Sequence, residues 1–171
     1  MLKLIRKLAA CAILLGTASQ SYAQATPIAS GHLKGGPTIV TPVPSIVDLT
    51  FTLVELPDGS VLGSGKLTNQ SLGSWILFDL TSYIFVGDGI LMMAGTVTKQ
   101  HTTVIPPKFQ VGNTVFFAIK DKGNGGGVDE FIDGLVPPAF GPVTIQQIFA
   151  VSGVPPPEIF RKGISGNITF H

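Results

Sequence analysis

Cysteine occurs once in the 171 residues, at Cys11, so no disulfide can form within the chain. Charge is scarce too: Asp, Glu, Lys and Arg make up 12% of the sequence and the net charge is +1. A protein so weakly charged offers no extended basic surface to a nucleic acid or an anionic membrane. Long uninterrupted helical patterns are missing, because 21 Gly and 13 Pro are scattered through the chain and break helix interiors. Those residues follow no triplet period, which excludes a collagen-like rod. The chain is nevertheless 44% hydrophobic, too apolar for wholesale disorder.

The first 23 residues have the layout of an export signal. Lys3, Arg6 and Lys7 form a basic start, Leu8–Gly16 an apolar run too short to span a bilayer, and Ser21-Tyr22-Ala23 a small-residue cleavage site. Cleavage is expected between Ala23 and Gln24, with a periplasmic or extracellular destination. Leu8-Ala-Ala-Cys11 resembles a lipoprotein box, but it opens the apolar run instead of following it. Removal of this segment takes the only cysteine with it, leaving a single β domain to be held by its core.

Beyond the signal the dominant period is two. Residues 24–44 mix Pro, Gly, Ser and Thr without periodicity and read as an exposed lead-in, with Thr38-Ile-Val as a candidate edge strand. Val47, Leu49, Phe51 and Leu53 alternate with Asp48, Thr50 and Thr52, which predicts a half-buried strand. Pro57-Asp58-Gly59-Ser60 reads as a turn, and Val61–Asn69 as a returning strand weakened by Gly63 and Gly65. Ile76, Phe78 and Leu80 predict a third strand, which returns through Gly87-Asp88-Gly89 into Ile90–Thr98. Val115, Phe117 and Ile119 mark another. Residues 128–160 are irregular, with Val143–Val151 read as a bulged strand or a single helical turn. In the final stretch Ile164, Ile168 and Phe170 are expected inward, with Ser165, Asn167 and Thr169 outward. The expectation is an all-β domain over 45–171, an antiparallel β-sandwich or small barrel of about seven to nine short strands.

Three segments resemble a family of small secreted bacterial β-domains of unassigned function. They are FTLVELPDGSVLGSGKL with its Asp-Gly turn, AIKDKGNGGGVDEFID with an Asp-x-Gly loop and a second Asp, and the closing SGNITFH. The resemblance covers roughly 45–171 and implies an extracellular, β-rich domain without a known site. The Gly-rich stretch 123–127 departs from the pattern.

Chemistry-bearing residues concentrate in 121–133. Asp121, Asn124, Asp129 and Asp133 lie beside glycines that allow tight backbone paths, and Ca²⁺ takes six to eight oxygens of these kinds. The spacing does not follow the helical calcium loop, and the ordinary alternative is a hairpin whose Asp side chains accept turn N–H groups. Gly123, Gly125 and Val128 fail the dinucleotide fingerprint. No G-x-S-x-G elbow exists, Ser64 sits between two glycines, and Asp79 reads as an outward residue of an apolar strand. His32, His101 and His171 are far apart in sequence, so a triad or metal site would need the fold to converge them. The expectation is a non-catalytic structural or binding domain without a cofactor. The alternatives are a small barrel holding an apolar ligand and a calcium-stabilised extracellular module, with an outer-membrane barrel behind both.

Overall fold

The computed structural model describes residues 24–37, 45–87, 89–102, 109–123, 127–136, 138–156 and 159–171. They form an all-β protein with eight antiparallel strands in one sheet: β1 (Thr26–Gly35), β2 (Val47–Glu55), β3 (Val61–Asn69), β4 (Ser74–Val86), β5 (Ile90–His101), β6 (Thr114–Lys120), β7 (Glu130–Leu135) and β8 (Gly163–Phe170). Neighbours run in the order β7-β6-β5-β4-β3-β2-β1-β8, so the last strand pairs with the first. The single sheet curls into a half-barrel.

The alternation in β2 fixes its inner face: Val47, Leu49, Phe51 and Leu53 are all buried, while Thr50 and Thr52 are exposed. Ile76, Phe78, Leu80, Val115, Phe117 and Ile119 join the same core. Phe78 and Phe117 meet across the curl with ring centroids 4.7 Å apart. Each fully buried ring of this kind contributes roughly 1.5–3 kcal/mol through area removed from water. Tight curling depends on β3, because a Cβ on Gly65 would lie 2.4 Å from the Phe78 ring. The glycines that weakened β3 as a sequence pattern make room for the neighbouring aromatic.

Four readings are corrected. The lead-in is no tail at its start: Thr26–Gly35 is an internal strand, paired with β2 on one side and β8 on the other. Its alternation was hidden because three of the four core-facing positions, Ala29, Gly31 and Gly35, are too small to register as a hydrophobic period and leave Leu33 alone. They are small for cause, since a Cβ on Gly35 would sit 2.8 Å from both Arg161 and Phe131. Thr38-Ile-Val falls outside the described residues. The 128–160 stretch contains β7, and Ile145–Ser152 is a helix, α1, which favours the helical alternative over the bulged strand but runs for two turns instead of one. A capping box starts it, Thr144 and Gln147 each accepting the other's backbone N–H. Ile164 is 50% exposed and not inward, because the β1–β8 register slips between Lys34 and Gly35.

A second register shift matters more. Between Leu80 and Ser82 the pairing of β4 with β5 slips by one residue. A bulge of this kind exchanges the faces of everything beyond it. Ser82, Ile84 and Val86 therefore turn outward beneath α1, where the Ser82 hydroxyl accepts the Ile145 N–H at 2.9 Å. Tyr83 and Phe85 turn inward. With Met92, Ala94, Ala118 and Phe160, the outward set forms a second small core under the helix.

Candidate functional site

Two of the acidic residues expected to carry a site, Asp129 and Asp133, bond to distant parts of the chain, while Asp121 bonds within its own turn. Asp121 Oδ1 accepts the Gly123 N–H at 2.6 Å. Asp129 is 1% exposed, and its two oxygens accept the N–H groups of Lys122 and Ile168, each at 2.8 Å. Ile168 belongs to β8, so one carboxylate joins the β6–β7 connection to the opposite edge of the sheet. Asp133 pairs with the Arg161 Nε at 2.8 Å, and the Arg161 Nη1 also donates to the Gly36 carbonyl and the Ser45 hydroxyl. A backbone bridge from Arg161 to Phe131 lies beside this pair. Buried carboxylates persist where N–H donors or a paired cation replace their hydration, and this seam supplies both. Asp121, Asp129 and Asp133 thus go to separate partners, while Asn124 lies outside the described residues. Among the described residues no three His, Cys, Asp or Glu side chains come together as a metal-holding group.

The histidines sit on separate elements. His101 stacks on Trp75 at 6.1 Å, His32 lies exposed on β1, and the His171 N–H bonds to the Ile28 carbonyl. Asp79 and Ser64 are exposed on the outer face, opposite each other in the β3–β4 register. With Thr50, Thr52 and Lys66 they line a shallow, open depression. Around this depression the outer face is polar, unlike the apolar outer band of a lipid-facing barrel.

Sequence reasoning missed a different cluster, at the end of the sheet where β2, β4 and β8 finish and β1 and β3 begin. The bulge in β4 sends Tyr83 inward, and its hydroxyl donates to Glu55 Oε2 at 2.5 Å. That hydrogen bond, then burial, pushes the Tyr83 phenol up to about 12. Phe85 meets Tyr83 edge-on at 5.9 Å and 82°, and Phe170 of β8 at 5.4 Å and 85°. Strands β4 and β8 are four positions apart in the sheet, so this ring contact spans the mouth of the curl. Tyr83 and Phe170 pack on the main core, whereas Phe85 remains 52% exposed. No sequence signal announced this group, because its members come from three strands and one of them owes its orientation to a one-residue slip.

Compared with known proteins, the chain matches no family model, no curated protein and no solved structure.

Proposed function

We propose that this protein is an exported, non-catalytic binding domain whose ligand site is the mouth formed by Glu55, Tyr83, Phe85 and Phe170. The observation that carries the reading is Phe85: a large aromatic aimed inward at the end of the curl and yet half open to solvent. Apolar walls with one or two fixed polar groups at a barrel mouth are the usual form of a small-molecule site. The Tyr83–Glu55 pair supplies the polar group, held in place by its own hydrogen bond. A phenol whose proton stays on up to about 12 is a fixed donor near neutral pH and poorly matched to general acid–base work there. The layout of residues 1–23 supports export, as does the motif resemblance to secreted β-domains.

The neutral, apolar fluorophore N-phenyl-1-naphthylamine tests the site. The purified protein should enhance its emission, and Phe85→Ser should abolish the enhancement while leaving the far-ultraviolet circular dichroism unchanged. Absence of binding, or binding indifferent to Phe85→Ser, would overturn the assignment. Mass spectrometry of small molecules retained through native purification provides the complementary readout.

A further inference from the structure

We infer that Ser82 and Gln146 are positioning residues for the mouth: their bonds between α1 and β4 hold the slipped register that aims Tyr83 and Phe85 inward. The consequence for binding rests on the mouth being the ligand site, whereas the positioning itself does not. Beyond the slip, β4 reads Ser82-Tyr83-Ile84-Phe85-Val86, with large apolar or aromatic residues in both phases of the alternation. Its partner strand is no more selective, since Ile90, Leu91, Met92, Met93 and Ala94 are all buried. Where both faces are apolar, the pattern specifies register only weakly. Without the slip, the inward series Ile76, Phe78 and Leu80 would continue through Ser82, Ile84 and Val86. Tyr83 and Phe85 would then stand on the outer face.

Contacts outside the curl choose between these phases, and α1 makes them. Ser82 is 6% exposed, and its hydroxyl accepts the Ile145 N–H at 2.9 Å. Gln146 Nε2 donates to the Tyr83 carbonyl at 3.0 Å. Two consecutive residues at the start of α1 thus bond to two consecutive residues just past the slip. N–H groups in the first turn of a helix have no partner within it. Ile145 is fully buried, so an acceptor from the protein must stand in for water, and the outward Ser82 hydroxyl does so. In the unslipped phase that hydroxyl would point into the main core and desert the donor. Ile84 and Val86 pack in the same outward cluster as Ile145, Ile148 and Phe149, so the slip and the docking of the helix support each other.

Tyr22 and Tyr83 are the only tyrosines of the chain, so in the full chain carrying Tyr22→Phe the phenolate absorbance reports Tyr83 alone. Glu55 is the charged group that acts on this phenol, and the midpoint in that parent should lie near 12 against an ordinary 10.0. Ser82→Ala should bring the midpoint at least half of the way back to 10.0, because a Tyr83 freed from its inward aim no longer donates to Glu55. Ser82→Thr keeps the hydroxyl and should restore the parent value. Gln146→Ala, at an exposed position, should move the midpoint the same way by less. Circular dichroism of the same samples at each pH separates repositioning from unfolding. An unchanged midpoint in Ser82→Ala, or a fall accompanied by loss of the β signal at that pH, would overturn the inference. Should Ser82→Ala fail to fold, Gln146→Ala decides, and an unchanged midpoint there would overturn it. Enhancement of N-phenyl-1-naphthylamine emission should weaken in step with the midpoint and recover in Ser82→Thr. A lowered midpoint in a protein that never binds the fluorophore would sustain the positioning and overturn the mouth as a ligand site.

Discussion

Two regions of this molecule bring carboxylates out of bulk water, and they treat them differently. At the seam, both oxygens of Asp129 are taken by backbone N–H groups, and Asp133 is joined to an Arg161 whose other bonds go to Gly36 and Ser45. These bonds tie distant parts of the sheet together. At the mouth, Glu55 takes one hydroxyl from Tyr83, and the rings beside it are anchored on one side and open on the other. A cluster of acidic residues in the sequence thus marked the place where the fold is fastened. A single Glu at the end of an ordinary strand marked the place where the fold is open.

Breaking the seam should cost far more than altering the mouth. The largest effect is expected from Asp133→Ala, which leaves the Arg161 guanidinium buried without its counter-charge. A urea titration should show a loss of about 3–5 kcal/mol. Asp129→Ala comes next, at about 2–4 kcal/mol, since it strands two backbone donors, and Asp129→Asn should recover part of that by accepting one of them. A neutral result for Asp129→Ala would mean that the edges are held by other contacts.

Changes at the mouth should be smaller. Tyr83→Phe should cost about 1 kcal/mol or less near pH 7. Its signature lies in the pH dependence: the folded phenol, at about 12, lies above the ordinary value of 10.0. The bond's contribution is therefore complete below pH 10 and disappears as pH rises toward 12. Wild-type stability should decline through that window by an increment that Tyr83→Phe does not show. The smallest effect is expected from calcium. Because the described carboxylates of 121–133 have N–H or cationic partners, millimolar Ca²⁺ should leave the melting temperature where it is. A site at 100 times its dissociation constant would instead add about 2.7 kcal/mol. A rise that vanishes in Asp121→Asn would restore the calcium reading and erase the contrast between seam and mouth.

The sequence made the all-β class legible, and with it the inner faces of β2 and β6, because large apolar residues alternate there with polar ones. Strand β1 was illegible for the opposite reason: apart from Leu33, its inner face is built from Ala29 and glycines that admit Arg161 and the closing strand. A period cannot be read from side chains that are absent. The Thr144–Gln147 capping box was present in the sequence and marks the start of α1, but the helix behind it is too short for its apolar stripe to stand out. At the candidate site, Phe170 was expected inward and lies there. Tyr83 and Phe85 depend on the slip between Leu80 and Ser82, which simple alternation cannot anticipate. Their approach to Glu55 and Phe170 is a property of the curl, not of any local stretch.

Pairing of β8 with β1 also governs how the protein can come into being. Most other strand pairs are hairpins between consecutive segments and can form as soon as both have emerged from a ribosome or a translocation pore. Strand β1 gets its second partner only after nearly all of the described chain has followed it. Closing so long a loop is entropically costly, and topologies rich in such distant contacts fold slowly. Until then one side of β1 is an unpaired edge beside an uncovered apolar face, the condition under which chains adhere to one another. A chain of this topology passes through its most vulnerable interval just before its last strand emerges. A chaperone would find its task there, shielding β1 until Gly163–Phe170 arrives.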